Sequence, residues 1–70
     1  MNRSLDEKRL GYWRAVLARK GCDDLIPESV AGESVGFRVI ARGQHYDYRY
    51  RPDESAEQLL DRIAAEMGAQ

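Results

Sequence analysis

The strongest constraint on this chain's fold is an alternating apolar pattern on both sides of Arg42 and Gly43. Arg-Gly is not the favoured Asn-Gly pair, so the turn type stays open, but two extended runs on either side of it are consistent with a two-residue hairpin loop. If Ala41 lies opposite Gln44, three apolar pairs share one face: Val39 with Tyr46, Phe37 with Tyr48, and Val35 with Tyr50. If the pairing of the two strands shifted by one residue, the apolar residues of one strand would no longer lie opposite those of the other. The sequence therefore predicts an antiparallel hairpin over residues 35–50.

The opposite face of the predicted hairpin is polar. Arg38 lies opposite Asp47 there, which favours a cross-strand ion pair, and Ile40 lies opposite His45. Most of the remaining charge on the hairpin is positive. We expect a basic outer face made by Arg38, Arg42, His45, Arg49 and Arg51.

A first amphipathic helix is predicted over residues 5–20. Ser4 and Glu7 have the spacing of a capping box, and Gly21 suits the residue that follows a helix. The apolar stripe recurs at helical spacing. It consists of Leu10, Trp13, Val16 and Leu17.

A second amphipathic helix is predicted over residues 54–67. It follows Pro52, and Ser55 with Gln58 forms another capping box, with Asp53 as a rival cap. Its stripe is more regular than that of the first helix. It consists of Ala56, Leu59, Leu60, Ile63, Ala64 and Met67.

Residues 21–34 are predicted to form a loop between the first helix and the hairpin. Glycine, Pro27 and four acidic residues interrupt any regular period in this segment. Leu25 and Ile26 are expected to cover the core. A loop of this length is unusual in a compact domain, so a short turn or edge strand near residues 29–31 is an alternative.

Together these elements predict one domain, residues 1–70, of the α+β class. The predicted fold is a small two-layer αββα domain in which the hairpin packs against both helices. Its element order is similar to that of the small head–tail joining proteins of tailed phages. That resemblance, which concerns element order, implies an accessory protein of phage or mobile-element type.

Charge is sorted along the chain, although its 11 basic and 12 acidic residues nearly cancel. The net charge is +4 over residues 1–21, −4 over 22–36, +3 over 37–52 and −4 over 53–70. This sorting predicts separate basic and acidic surfaces for partners, or complementary charges within the fold.

A single cysteine excludes an internal disulfide, and no apolar run reaches the roughly 18 residues of a membrane span. We therefore expect a cytoplasmic protein.

The sequence offers little chemistry for catalysis. His45 is the only histidine, and a hydrolase would need it as a base, with Arg38 or Arg49 stabilising a phosphorane. No residue that could act as the general acid lies at a suitable spacing from His45. The end of the first helix and nearby acids should raise the pKa of Cys22, which makes a poor nucleophile. No metal-ligand spacing and no glycine-rich phosphate loop occur, so no metal or cofactor is predicted.

Binding to another protein is the favoured hypothesis. Small residues on the first helix, flanked by arginines, would let a second backbone approach, and acidic residues on the second helix would suit a basic partner. These candidates are Gly11, Arg14, Ala15, Ala18, Arg19, Glu54, Glu57 and Asp61. The sequence thus predicts a non-enzymatic protein–protein interaction module, such as an inhibitor, adaptor or accessory protein. Its partner would be another protein or a second copy.

Two alternatives remain open at this point. A nucleic-acid-binding protein would use the basic outer hairpin face, because a two-stranded ribbon can enter a DNA groove. A small hydrolase would depend on His45.

Overall fold

The computed structural model describes residues 3–68, which form two helices and one three-stranded sheet. The elements in chain order are α1 (Glu7–Ala18), β1 (Cys22–Val30), β2 (Glu33–Ala41), β3 (Gln44–Arg49) and α2 (Ala56–Gly68). The antiparallel sheet has the order β1-β2-β3, with α1 packed against β1 and α2 against β3. The α+β class, the hairpin and both helices are confirmed. The element order is αβββα, with one more strand than predicted.

The β2–β3 hairpin has the predicted register. Phe37 pairs with Tyr48 and Val39 with Tyr46, and the Tyr50 amide donates to the Val35 carbonyl at 3.1 Å. The backbone φ angles are 52° at Arg42 and 75° at Gly43. Two successive positive φ values are typical of a type I′ turn, whose twist matches that of paired strands.

The loop prediction for residues 21–34 is wrong over Cys22–Val30, which forms the edge strand β1. Leu25 lies opposite Val39 and is buried, so it covers the core as a strand residue and not as a plug. A second tight turn at residues 31–32 joins β1 to β2, with positive φ at both positions. Pairing irregularities between Cys22 and Asp24 and between Glu28 and Ser29 obscure the strand's alternation.

Helix α1 begins at Glu7, two residues later than predicted, and its N-cap is Asp6. The Asp6 carboxylate accepts a hydrogen bond from the Arg9 amide at 2.8 Å, so the predicted capping box of Ser4 with Glu7 does not start the helix. With Asp6 as the cap, Leu5 and Leu10 flank the first turn, and both pack against the core. This arrangement is a hydrophobic staple, which fixes the direction in which the chain enters the helix.

Helix α2 has the predicted cap. The Ser55 hydroxyl accepts from the Gln58 amide at 3.2 Å, and the Gln58 side chain accepts from the Ser55 amide at 2.8 Å. The rival Asp53 instead takes a positive φ of 63° in the connection before the helix. Five of the six predicted stripe residues are buried, and Ala64 is partly buried.

The core lies between the sheet and the two helices. Trp13 and Leu17 are the buried residues of α1, whereas α2 buries five of its six stripe residues. They face the inner residues of the sheet, which are Cys22, Leu25, Phe37, Val39 and Ala41. Burial of a leucine, valine, phenylalanine or isoleucine side chain stabilises a fold by about 1.5–3 kcal/mol.

Gly36 marks the closest approach of two backbones in the sheet. A Cβ atom built there would overlap the Tyr48 carbonyl and lie 3.0 Å from the Arg49 Cα. Backbone atoms cannot move aside as a flexible side chain would. Glycine is therefore required at this position for steric reasons.

We predict that Gly36→Ala lowers the free energy of unfolding by about 3 kcal/mol, because β2 and β3 must move apart. Gly11→Ala is the matched control, since the added Cβ meets no atom within 4 Å in the described chain. It should stabilise the fold by about 0.5–1 kcal/mol, because alanine favours a helix interior. Urea unfolding measures both. Equal effects of the two substitutions would contradict this packing.

Candidate interaction surface

The face of the sheet opposite the helices carries mixed charge. Arg38 lies at its centre, with Asp47 at 2.9 Å and Glu28 at 3.3 Å. The predicted pair of Arg38 with Asp47 is confirmed, and the Arg38 guanidinium lowers the pKa of Asp47. Strand β1 also brings Asp24 alongside Ile40. The outer face of the whole sheet is therefore not uniformly basic, because β1 adds Asp24 and Glu28 to the basic residues of the hairpin.

The other hairpin candidates do not form an unbroken basic surface. His45, Arg49 and Arg51 are exposed, and Arg42 is exposed at the tip of the turn. Arg38 lies opposite Asp47, which separates His45 from Arg49 along β3. The sheet therefore does not gather these five residues into one uniformly basic patch.

Cys22 is a buried free thiol at the start of β1. Its pKa is raised, chiefly by burial and secondarily by Asp23. The prediction of a poor nucleophile agrees with this direction, although burial has replaced the helix end as the main cause. Among residues 3–68, no three His, Cys, Asp or Glu side chains are grouped so that they could hold a metal ion.

The free edge of β1 is covered by side chains of its own chain. The Leu25 carbonyl accepts from the Arg14 guanidinium at 3.2 and 3.3 Å, and the Leu25 amide donates to the Asp24 carboxylate at 2.8 Å. Pro27, two residues on, has no N–H to offer. These contacts close the edge to an added strand, as natural edge strands often require.

The free edge of β3 has a different character. Hydrogen-bonded and non-hydrogen-bonded pairs alternate in an antiparallel ladder, and Tyr50 forms a hydrogen-bonded pair with Val35. The N–H and C=O groups of His45, Asp47 and Arg49 therefore point away from β2. The Arg49 carbonyl accepts from the Arg62 guanidinium at 2.9 Å. The sequence does not mark this edge, because the edge is made by backbone groups.

A charged cluster joins the end of β3 to α2. The Arg62 guanidinium donates to both oxygens of Glu54, at 3.0 and 2.9 Å, and the Arg51 amide donates to Glu54 at 2.9 Å. The Glu54 side chain is only 10% exposed. Hydrogen bonding from Arg62, supported by Arg51, lowers the pKa of Glu54 to about 2. Glu54 therefore does not lie on an accessible acidic face, contrary to prediction.

Arg3 holds the same connection from the other side. Its guanidinium donates to the carbonyls of Arg51 and Glu54 at 2.9 and 3.0 Å and lies 4.5 Å from the centre of the Tyr50 ring. The Tyr50 hydroxyl donates to the Arg3 carbonyl at 3.3 Å. The connection before α2 is thus fixed by arginines from both ends of the described chain.

Glu57 links the two helices. It accepts from the Arg9 guanidinium at 2.7 and 3.0 Å and from the Trp13 indole at 3.0 Å. The Arg9 hydrogen bond is the main reason that the pKa of Glu57 is lowered. Of the three acidic candidates on α2, Asp61 alone is exposed without such a structural role in the described contacts.

The outer face of α1 carries small residues, as predicted. Gly11, Ala15 and Ala18 are exposed, and so is Arg19, whereas the Arg14 guanidinium bonds to β1. Tyr12, which is 51% exposed, lies at the margin of this face. The structure places these residues together but shows nothing that would occupy the face.

No protein-family model, curated protein or solved structure matches this chain. Within the described residues, neither helix has the length and apolar character needed to cross a membrane. The function has to be inferred from the chain's own residues and their surroundings.

We predict that Glu54→Gln destabilises the fold at pH 7 by on the order of 2 kcal/mol, because Arg62 loses its carboxylate partner. In the native protein, ionised Glu54 should contribute this stability in full above pH 4.5, the ordinary pKa of the carboxyl. The contribution should be lost as the pH falls towards 2, the pKa of Glu54 in the fold. The variant should lose less stability than the native protein over that interval. Asp61→Asn is the exposed control. Parallel stability profiles for the native protein and Glu54→Gln, from urea unfolding at each pH, would contradict this role.

Proposed function

We propose that this chain is a non-enzymatic protein–protein interaction module that binds an extended segment of a partner chain along β3. In this mode of recognition the partner adds a strand to the sheet through main-chain hydrogen bonds. Side chains next to the edge then select the partner. Such a role suits a small inhibitor, adaptor or accessory protein.

The difference between the two sheet edges carries this proposal. An exposed edge readily pairs with another chain, so natural proteins usually protect it. Here Arg14, Asp24 and Pro27 protect β1. Over residues 45–49 of β3, neither proline nor lysine protects the edge, and Arg62 covers a single carbonyl at one end. The smaller coverage of backbone groups along β3 than along β1 favours a binding role for β3.

The surfaces predicted from sequence support binding less well. Glu54, Glu57 and Arg14 are engaged in contacts within the fold, so they have less to offer a partner. For nucleic acid, the central arginine of the outer face, Arg38, is already paired with two carboxylates. A phosphate would have to compete with both acids for it.

The proposal is tested by removing one outward N–H from β3. Asp47→Pro eliminates the amide that a partner would use, whereas Asp47→Asn keeps the amide and loses the charge. Each form, carrying a photoreactive amino acid in place of His45, is exposed to a lysate of the cells that express the chain. We expect the native chain and Asp47→Asn to cross-link the same partner segment, and Asp47→Pro to lose at least about 90% of it.

Far-UV circular dichroism establishes that each variant is folded. If Asp47→Pro is not, N-methylation of the Asp47 amide in a chemically synthesised chain removes the same donor with the side chain kept. Equal cross-linking by the native and edge-blocked chains would contradict the proposal, as would the absence of any cross-linked partner.

A further inference from the structure

We infer that the strand added to β3 is β3 of a second copy of this chain, paired antiparallel about a two-fold axis at Tyr46. This inference rests on the proposed function, because it names the partner for the same edge. Two observations support it: the side chains that would face each other in each possible pairing, and the Arg49 carbonyl of β3, which already accepts from Arg62.

Three antiparallel two-fold pairings, with the axis at Tyr46, Asp47 or Tyr48, use the outward groups of at least two residues of β3. An axis at Asp47 would place its carboxylate opposite the same carboxylate of the second copy, which is unfavourable. An axis at Tyr48 would require the Arg49 carbonyl, which already accepts from Arg62 at 2.9 Å. An axis at Tyr46 avoids both problems. Charge and the position of Arg62 therefore select this third pairing.

With the axis at Tyr46, His45 of each copy faces Asp47 of the other. Both residues point their N–H and C=O groups outward, so the two His45 and Asp47 pairs can form four main-chain hydrogen bonds. Each imidazole then lies opposite a carboxylate on the outer face. On the inner face, the half-buried Tyr46 side chains meet across the axis. The result is one six-stranded sheet with all four helices on the same side.

Strand β1 does not offer an equivalent pairing. With its axis at Ile26, Asp24 of one copy would lie opposite Glu28 of the other, which places like charges together. The outward groups of Leu25 are also bonded within the chain. Because this edge stays closed, association through β3 ends at two copies and does not continue into a fibre.

Cysteine scanning measures the pairing directly. In a Cys22→Ala background, Tyr46→Cys would place two thiols opposite each other in a non-hydrogen-bonded pair, whose Cα separation of about 4.5 Å suits a disulfide. Gln44→Cys and Tyr48→Cys are the controls. We expect the Tyr46→Cys variant to form a disulfide dimer at least about tenfold faster than either control under mild oxidation.

A charge exchange tests the same pairing without an engineered disulfide. His45→Asp places two acids opposite each other, and Asp47→His places two imidazoles opposite each other, so each variant alone should dimerise less than the native chain. Mixing the two variants restores an imidazole opposite a carboxylate at both positions. The mixture should therefore form a heterodimer, detected by sedimentation with one variant carrying a fluorophore.

The oligomeric state of the native chain also tests the inference, without any substitution. The interface is smaller than the roughly 1,600 Å² of a standard complex, so we expect a dissociation constant between about 10 µM and 1 mM by sedimentation equilibrium. A monomer at about 1 mM, or fastest disulfide formation at position 44 or 48, would overturn the inference. If the native chain is monomeric but Asp47→Pro still loses a captured partner, the second-copy inference fails and the proposed function stands. A dimer that Asp47→Pro forms equally well would contradict the second-copy inference, whereas unchanged cross-linking by Asp47→Pro would contradict the proposed function.

Discussion

The rest of the structure depends on the paired charges of Glu54 and Arg62. One guanidinium, supplied by α2, binds the Glu54 carboxylate before the helix and the Arg49 carbonyl at the end of β3. This contact orients α2 beneath the sheet, where its apolar stripe completes the core. It also decides how much of β3 is left exposed, because it occupies the last outward carbonyl. The Arg62 guanidinium therefore ties α2 to the end of β3 and limits the length of the open edge.

Most other charged contacts fasten elements to one another. Arg9 and Glu57 join the helices, Arg14 covers β1, and Arg38 bridges Glu28 and Asp47 across the sheet. The basic and acidic segments of the chain thus complement each other within one small fold. Of the surfaces that remain exposed, the backbone edge of β3 is the one at which we propose a strand-adding interaction.

The hairpin register was predictable because three apolar pairs and one ion pair agreed on it. The second helix was predictable because its cap and stripe were both regular. Strand β1 was not, because Asp24 and Pro27, which protect the edge, are also the residues that make a sequence resemble a loop. The Asp6 cap competed with an equally plausible Ser4, and packing of Leu5 decided between them. The candidate edge could not be predicted, because its groups belong to the backbone and their exposure depends on tertiary contacts with Arg14 and Arg62.

Amide hydrogen exchange along β3, followed by NMR, tests the central claim most directly. In dilute free protein we predict rapid exchange at His45 and Asp47 and slow exchange at Tyr46 and Tyr48, whose amides bond to β2. At concentrations that favour association, or with a bound partner, the two rapid amides should become protected while those on β1 do not change. Uniform protection along β3 in the dilute protein, or an unchanged exchange pattern in the complex, would contradict the account.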